Sequence, residues 1–288
     1  METNSAPLVT VLLPAFNEEA AIGETIHSIK KLYPDFEILV VDDGSTDSTV
    51  KIAVEAGANV WPHPYNMGNG AAVKSGLRCA AGDWILMMDA DGQHRPEDIA
   101  FLLEHKDKYE MVVGARSKGS RSSVHRFCAN WLYNKFASFV TKFDIKDLTS
   151  GFRLVRKETV SKYIYLLPNT FSYPTTLTMA YLRSGHSVKY VPIKTEVRKG
   201  KSKIKLIEDG SRFLLIIAKV ATLYSPMRVF LPVSAILFLT GVSYYLYTFI
   251  TMNRFTNMSA LLFTTSIMVF MLGLVSEQIS QMRYDKTE

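Results

Sequence analysis

The sequence is dominated by one segment, Trp84-Ile85-Leu86-Met87-Met88-Asp89-Ala90-Asp91-Gly92-Gln93-His94. Its first five residues form a continuous apolar run, which is typical of a central strand covered on both faces of a parallel sheet. The side chains of Asp89, Asp91 and Gln93 share one direction on an extended chain. Three oxygen ligands on a loop suit a hard divalent cation that also holds substrate phosphates. Taken alone, the same residues are also compatible with a solvated Asp-x-Asp-Gly turn.

Strands and helices alternate along the chain on both sides of this segment. We predict strands at residues 8–13, 36–41, 60–61, 84–89 and 111–113, separated by helices at 18–32, 46–56, 69–78 and 96–106. This alternation is typical of an α/β protein with a doubly wound, mostly parallel sheet. Beyond it we expect a polar turn at 147–153 that leads into a strand, a helix at 171–184 and an edge strand at 188–193. An amphipathic segment at 122–143 either packs in the core or lies on a membrane or along an acceptor groove.

Polar residues follow three of the predicted strands, at positions 14–18, 42–47 and 89–91. Because ligands of open α/β sheets bind at the carboxyl ends of the strands, we expect these three loops to build one cleft. A dinucleotide site of the G-x-G-x-x-G type does not fit, since Gly68-Asn69-Gly70 is followed by Val73 where the third glycine belongs. No Walker A sequence occurs either.

The last part of the chain is apolar enough to predict an integral membrane protein. Residues 229–250 and 258–276 are uncharged over 22 and 19 positions, which is enough to cross a bilayer twice as a hairpin. The connector at 251–257 carries only Arg254, whereas Lys219, Arg228, Arg283 and Lys286 flank the pair. The positive-inside rule therefore predicts that the large domain and both termini are cytoplasmic. The segment at 213–224 is too short to span and is expected at the membrane interface.

The distribution of charge indicates which class of molecule this chain binds. The net charge is +6, and bases outnumber acids most strongly between positions 194 and 228, beside the apolar C-terminal part. Nine bases (Lys194, Arg198, Lys199, Lys201, Lys203, Lys205, Arg212, Lys219 and Arg228) face three acids there (Glu196, Glu208 and Asp209). This placement favours anionic lipid headgroups over nucleic acid.

Cys79 and Cys128 lack metal or redox spacing and are expected to be free thiols in a reducing compartment. The polar start at 1–7 shows no cleavable signal sequence.

Several motifs occur in an order that resembles the family 2 glycosyltransferases with a GT-A fold, and more narrowly the dolichyl- and undecaprenyl-phosphate sugar transferases of the dolichol-phosphate mannose synthase group. They are Pro14-Ala15-Phe16-Asn17-Glu18-Glu19, Val41-Asp42-Asp43-Gly44-Ser45-Thr46-Asp47, Asn66-Met67-Gly68-Asn69-Gly70, the segment at 89–94, Gly114-Ala115-Arg116, Ser150-Gly151-Phe152-Arg153 and Gly200-Lys201-Ser202-Lys203. The resemblance covers about residues 8–205 and implies a Rossmann-like GT-A domain at 1–205. From the resemblance together with the apolar pattern, we expect interfacial helices at 206–226, a transmembrane hairpin at 227–281 and a cytoplasmic tail at 282–288.

The resemblance also implies roles for the matching positions. The nucleotide sugar would be bound by Pro14, Phe16, Glu18, Val41, Asp43, Asp89, Ala90 and Asp91, with Val41 and Asp43 at the base. A Mg²⁺ or Mn²⁺ ion would be held by Asp89, Asp91 and Gln93, and the acceptor phosphate by Arg116, Arg126, Arg198 and Lys203. The catalytic set would be Asp89, Asp91, Arg116 and Asp147. Phe16 and Val41 are alternatively core residues, and Arg126 is alternatively a plain surface residue.

The implied reaction is an inverting, in-line transfer of a sugar from a UDP-glucose or GDP-mannose type donor to a polyisoprenyl phosphate. A lipid phosphate is largely ionised at neutral pH, so that no strong base is required, and Asp147 is the candidate if one contributes. Two positions depart from the family pattern. Asn69 stands where many relatives have lysine, and Val197 where several have arginine, with Arg198 following it.

Three other functions stay open at this point. A processive polysaccharide synthase shares the fold, but the Gln-x-x-Arg-Trp motif of that class is absent from the sequence. A membrane-anchored nucleotide-binding protein without activity, or a tethered transferase with a soluble acceptor, would share the same motifs. The sequence does not specify the sugar, the base, the lipid chain, the metal or whether the chain forms a homo-oligomer.

Overall fold

The computed structural model describes residues 8–116, 124–169, 173–195, 222 and 225–284, and only the backbone of residues 124–130, 132, 283 and 284. The chain divides into two compact units. The first contains Met1–Ser138 and Phe143–Asp209, and the second contains Phe139–Lys142 and Gly210–Glu288. The predicted interfacial segment at 206–226 and the predicted boundary at 205 lie almost wholly outside the described residues, so the proposed domain limits stay a prediction.

The first unit alternates strands and helices as predicted. Its strands are β1 (Val9–Ala15), β2 (Glu37–Asp42), β3 (Asn59–Pro62), β4 (Trp84–Met87), β5 (Met111–Arg116), β6 (Arg153–Arg156) and β7 (Val188–Ile193). Its helices are α1 (Ile22–Leu32), α2 (Thr49–Glu55), α3 (Asn69–Cys79), α4 (Ile99–Leu103), α5 (Val124–Thr141), α6 (Lys157–Ser161) and α7 (Tyr173–Arg183). Single 3₁₀ turns at Pro96–Asp98 and Ile164–Leu166 complete the described elements.

The strands form one mixed, mostly parallel sheet in the order β3-β2-β1-β4-β6-β5-β7. Among these seven described strands, only β6 runs antiparallel, pairing with β4 on one side and β5 on the other. Because Arg153 at the start of β6 pairs with Met87 at the end of β4, the residues that precede Arg153 lie at the carboxyl edge of the parallel strands. The predicted α/β fold and the edge position of β7 are confirmed, whereas nothing in the sequence had placed β6 inside the sheet.

The core of this unit lies between the sheet and the helices that cover it. Trp84–Met87 is buried throughout, as expected for a central strand, and Ile22, Ile26 and Ile29 bury one face of α1. Gly76 on α3 is required by packing, since a Cβ there would lie 2.1 Å from the Cδ1 atom of Leu12. This glycine therefore allows α3 to pack closely against β1.

The second unit contains an antiparallel helix pair, α8 (Pro226–Met252) and α9 (Asn257–Tyr284). Both helices are long and apolar enough to cross a membrane, and the predicted spans lie within them. The pair packs through buried small residues that recur every seven positions: Ser234, Gly241 and Thr248 on α8, and Ser259, Ser266, Gly273 and Ser280 on α9. Small residues at this spacing let two helices approach closely in lipid.

Polar contacts fix the register of this helix pair. The Ser234 hydroxyl donates to the Ser266 carbonyl at 3.1 Å, and the Ser266 hydroxyl donates to the Ser234 carbonyl at 2.9 Å. At the open end, the Glu277 carboxylate accepts the backbone N–H of Met227 at 3.3 Å, in the first turn of α8. At the closed end, Asn253 ends α8 in the left-handed conformation with φ 48°.

Candidate active site

Asp89 and Asp91 follow β4 at the carboxyl edge of the sheet. Asp91 is buried, with 7% of its surface exposed, and its Oδ1 accepts the backbone N–H of Gln93 at 3.1 Å. Gly92 permits this turn because it has a φ of +73°, in the left-handed region. The Asp89 side chain is 40% exposed. The turn therefore leaves one carboxylate of the pair open at the edge and ties the other into the loop.

The loop before β6 lies directly against Asp89. A Cβ at Gly151 would lie 3.0 and 3.1 Å from the two carboxylate oxygens of Asp89, so only glycine fits there without a shift. On the other side, His94 Nε2 is 3.8 Å from Asp89 Oδ2, and the imidazole stacks on the Phe152 ring at 4.9 Å. The buried Nδ1 of His94 has no hydrogen-bond partner in the described part of the chain. Gly151 and His94 belong to quoted motifs but had been given no role.

Arg116, at the end of β5, binds Asp147 from the same loop. Its Nε donates to Asp147 Oδ2 at 2.7 Å and its Nη2 donates to Oδ1 at 2.8 Å, while the backbone N–H of Arg116 donates to Oδ2 at 3.2 Å. Nη2 also donates to the Thr149 hydroxyl at 2.6 Å. These contacts use Nε and Nη2, and within the described part of the chain Nη1 makes no hydrogen bond.

The pKa values of both partners shift as expected for a tight ion pair. Burial by itself would raise the pKa of Asp147, but the hydrogen bonds and the charge of Arg116 outweigh it and hold that pKa below its ordinary value. The hydrogen bond with Asp147 raises the pKa of Arg116 against the opposing effect of burial, and the charge of Asp89 adds to the rise. Arg116 therefore lies in the field of both carboxylates.

The buried guanidinium of Arg153 supports the loop that precedes β6. Arg153 is fully buried and donates to the carbonyls of Ser150 and Pro174, at 3.1 and 2.9 Å, and to the Thr178 hydroxyl at 3.2 Å. The Ser150 hydroxyl in turn donates to the Gly114 carbonyl at 2.6 Å. The loop at 147–151 is thus held by β5, β6 and α7 together.

The loops that follow β1 and β2 lie at the same carboxyl edge of the sheet as Asp89. Asn17, with φ 54°, donates its backbone N–H to the Ser45 hydroxyl at 2.9 Å and accepts the Thr46 N–H at 2.8 Å on its side-chain oxygen. The backbone N–H of Glu18 donates to the Thr49 hydroxyl at 2.9 Å. These bonds lock the two loops to each other where β1 and β2 end, beside β4.

The predicted nucleotide residues lie in or next to these loops, with different exposure. Phe16 and Glu18 are partly exposed, whereas Pro14, Val41 and Ala90 are buried within or directly after the strands. Asp43 is 3% exposed, and its carboxylate accepts hydrogen bonds from His63, Met67 and Gly68. The predicted acceptor residues Arg198 and Lys203 and the side chain of Arg126 lie outside the described residues, so that Arg116 is the member of that set whose contacts are known.

The described residues fit a divalent cation that shares its ligands with a substrate. No three His, Cys, Asp or Glu side chains group into a closed metal site within the described ranges. Mg²⁺-type ions, however, are commonly held by one or two carboxylates together with substrate phosphates and water. The partly exposed oxygens of Asp89, with Asp91 and Gln93 on the same turn, supply such a partial set.

Two family models match the chain. The model described as glycosyl transferase family 2 matches residues 10–164, and the model described as GtrB C-terminal hairpin matches residues 225–282. The first range includes Asp89, Asp91, Arg116 and Asp147, and the second covers most of the helix pair.

Two curated relatives illustrate the similarity. An uncharacterised protein of Methanocaldococcus jannaschii is 33% identical over 198 residues, which cover 65% of this chain and 81% of that protein. The undecaprenyl-phosphate 4-deoxy-4-formamido-L-arabinose transferase of Proteus mirabilis is 30% identical over 184 residues, which cover 57% of this chain and 56% of that enzyme. The chain therefore matches only about half the length of this transferase.

Among solved structures, glucosyl-3-phosphoglycerate synthase from Mycobacterium tuberculosis, in complex with Mn²⁺, UDP and glucosyl-3-phosphoglycerate, superimposes with a TM-score of 0.62. The two are 22% identical, and the match covers 75% of this chain and 79% of the synthase. This likeness establishes the shared GT-A fold of the sheet unit.

Proposed function

This chain belongs to glycosyltransferase family 2, and from that premise we propose that it transfers a sugar from a nucleoside diphosphate to the phosphate of a polyprenyl lipid. One observation carries the proposal: at the edge of the sheet, the guanidinium of Arg116 lies in the field of Asp89, and its hydrogen bonds to other described residues use Nε and Nη2 but not Nη1. Acidic groups for the metal and donor diphosphate, and a positively charged N–H group for a second phosphate, then lie at one site.

The donor side of the site would consist of the loops after β1, β2 and β4. We assign Pro14, Phe16, Glu18, Val41, Asp43 and Ala90 to the nucleotide sugar. Asp89, Asp91 and Gln93 would hold Mg²⁺ or Mn²⁺, which when bound supplies positive charge for the leaving diphosphate. The hydrogen bonds between the loops at 15–19 and 42–49 support this assignment, because they tie together two loops at the same carboxyl edge of the sheet that Asp89 follows.

The acceptor side would depend on Arg116. The two hydrogens on its Nη1 would bind phosphate oxygens, while Asp147 and Thr149 hold Nε and Nη2 of the guanidinium in place. A phosphate oxygen of the lipid attacks the anomeric carbon in line with the departing diphosphate, so that the configuration inverts. Because the acceptor phosphate is already ionised and Asp147 is bound to Arg116, we assign Asp147 a positioning role rather than that of general base. Arg126, Arg198 and Lys203 are proposed further contacts to the phosphates.

The helix pair supports a lipid acceptor. Two helices that are apolar enough to span a membrane, in a range that matches the GtrB hairpin model, suggest a membrane anchor. The undecaprenyl-phosphate transferase of Proteus mirabilis shows by its name that a relative acts on such a lipid. We propose that the sheet unit and both termini are cytoplasmic, since Arg228 and Arg283 lie at the open end of the helix pair and only Arg254 lies in the connector.

The test is a transfer assay on the full chain in lipid. Purified protein is incubated with radiolabelled UDP-glucose or GDP-mannose, divalent metal and either undecaprenyl or dolichyl phosphate, and label is measured in the organic phase. We expect lipid-linked label that EDTA removes. Label on added 3-phosphoglycerate instead of the lipid, or in an insoluble polymer, would overturn the proposal in favour of a soluble acceptor or a polysaccharide synthase.

Two variants test whether sugar transfer depends on the carboxylates at this site. Asp91→Asn should abolish the label while the protein stays folded, because it removes charge from the edge of the sheet. The matched control is Asp107→Asn, since the Asp107 side chain is 83% exposed in the loop before β5, at the opposite edge of the sheet. The control should transfer sugar at the unmodified rate.

A further inference from the structure

His63 links two polar side chains beneath the loop after β2. Its side chain is 5% exposed, its Nδ1 is 2.9 Å from Asp43 Oδ1, and its Nε2 is 2.9 Å from the Ser75 hydroxyl. Since a carboxylate only accepts, Nδ1 carries a proton and donates it to Asp43, while Nε2 shares a hydrogen bond with the Ser75 hydroxyl. The backbone N–H of His63 also donates to the Asp42 carbonyl at 2.8 Å. The position of the imidazole and the direction of its hydrogen bond to Asp43 are therefore fixed.

The carboxylate of Asp43 is nearly filled by protein donors. Oδ1 accepts His63 and the backbone N–H of Met67, both at 2.9 Å, and Oδ2 accepts the backbone N–H of Gly68 at 2.8 Å. A carboxylate offers roughly four acceptor positions. Among the contacts of the described residues, three are used, and the one that remains is on Oδ2.

The same contacts fix where this carboxylate lies. The backbone N–H of Asp43 donates to the Ala15 carbonyl at 2.8 Å, which ties it to the end of β1. Gly44, with φ +76°, lies so close to the backbone of Tyr65 that a Cβ would come within 2.6 Å of it. Asp43 is thus clamped at the junction of the loops assigned to the nucleotide.

We propose that His63 is a specificity-determining positioning residue, which restricts Asp43 to a single acceptor position and thereby selects uracil over guanine as the base of the donor. This inference rests on the proposed function in placing the base at Asp43. Uracil presents one ring N–H, at N3, and one acceptor position satisfies it. Guanine presents N1–H and the exocyclic amine side by side, and this pair needs both oxygens of a carboxylate. Cytosine has no hydrogen on N3 and offers the carboxylate no ring donor.

Two substitutions of His63 separate positioning from mere packing. The amide nitrogen of asparagine lies near the place of Nδ1, so His63→Asn keeps a donor to Asp43 and loses the contact with Ser75. The amide nitrogen of glutamine lies near the place of Nε2, so His63→Gln keeps the contact with Ser75 and frees Asp43. Each variant loses one of the two side-chain hydrogen bonds of His63, so a packing role predicts similar effects of the two variants on nucleotide binding.

The experiment measures binding of UDP, GDP and CDP to the full chain in detergent with Mn²⁺, by calorimetry, together with the thermal midpoint. For the unmodified protein we expect UDP to bind at least about tenfold more tightly than GDP or CDP, the effect of one unpaired buried donor or acceptor. His63→Asn should keep most of this preference. His63→Gln should weaken UDP binding and reduce the UDP to GDP preference by about tenfold.

The outcomes separate this inference from the proposed function. Equal affinity for UDP and CDP, tighter binding of GDP, or identical binding by the two variants would overturn the role of His63. In the transfer assay, His63→Gln should raise the KM for the donor with little change in kcat, and the reverse split would also overturn it. A protein that shows the expected binding order but transfers no sugar to lipid would contradict only the proposed function.

Discussion

The guanidinium of Arg116 meets the carboxylate of Asp147 in a two-point contact, with Nε 2.7 Å from Oδ2 and Nη2 2.8 Å from Oδ1. Such a fork is rigid because the guanidinium is planar, so the direction of its free edge is set by the carboxylate. The contact also holds the pKa of Asp147 below its ordinary value, against the effect of burial. Because its pKa is lowered, the Asp147 carboxylate is a weak proton acceptor. Its two hydrogen bonds hold the guanidinium of Arg116 in one orientation.

Asp147→Asn should reduce kcat by about tenfold to a hundredfold, the effect of losing a charged hydrogen-bond partner. The cause would be a misplaced Arg116. The pH profile distinguishes this from loss of a general base: the variant should keep the shape of the unmodified profile between about pH 6 and 8. A profile that loses an ionisation together with the activity would show that Asp147 accepts the proton.

The same pair predicts how stability depends on acidity. The pKa of Asp147 is lowered in the folded protein, so its contribution to stability is present above its ordinary pKa, near ~4, and is lost as the pH falls through the lowered value. Urea unfolding from pH 6 to 3 should therefore show a weaker acid dependence in Asp147→Asn than in the unmodified chain. The exposed Asp144, whose side chain is 77% exposed, supplies the control variant Asp144→Asn, which should retain the full acid dependence.

Arg116→Lys should weaken the binding of the acceptor phosphate, although lysine keeps the positive charge of arginine. Lysine cannot bind Asp147 at two points and present a second edge at the same time. We expect kcat/KM for the lipid phosphate to fall by about tenfold or more, with a smaller change in donor affinity. Arg78→Lys, at an exposed position in the last turn of α3, is the control and should leave both parameters unaltered. Full activity of Arg116→Lys would remove Arg116 from the acceptor site.

Gly151→Ala should impair activity through Asp89. The added Cβ would lie 3.0 Å from a carboxylate oxygen, so either the loop or Asp89 must move. Because positioning errors of this size matter for catalysis, we expect a loss of about a hundredfold in kcat with the fold retained. Gly185→Ala provides the comparison, since its φ of +77° makes alanine strained but no atom lies within 4 Å of the added Cβ. That variant should lower the thermal midpoint and keep its activity.

The sequence predicted the part of the fold that depends on burial. The apolar run at 84–88 and the strand-helix alternation placed β4 and the loops at its edge, because parallel strands are covered on both faces. It did not place β6 within the sheet, since a four-residue strand with arginine at both ends resembles a surface segment. Arg153 is nevertheless fully buried, because two carbonyls and a hydroxyl satisfy it, and such long-range partners leave no local pattern.

In the site, too, some residues could be predicted from the sequence and others could not. Asp89, Asp91 and Arg116 follow strands, so their placement at one edge could be predicted from topology. His63 could not be predicted, because its partners Asp43 and Ser75 are 20 and 12 residues away in the sequence. The heptad spacing of Ser234, Gly241 and Thr248, by contrast, is visible in the sequence and indicates the packing face of α8 directly.

The reciprocal bonds between Ser234 and Ser266 predict a measurable coupling between the apolar helices α8 and α9. Unfolding of the full chain in mixed micelles is compared for Ser234→Ala, Ser266→Ala and the double variant. Hydrogen bonds between helices in membrane proteins contribute about 0.6 kcal/mol on average, so we expect a coupling energy of about 0.5–1 kcal/mol. Thr240→Ala and Thr264→Ala form the matched control cycle, because their hydroxyls each donate at 2.8 Å to a carbonyl of their own helix. Their coupling should be close to zero. If the serine cycle showed no more coupling than the threonine cycle, the register of the pair would depend on the close packing at Gly241 and Gly273 alone.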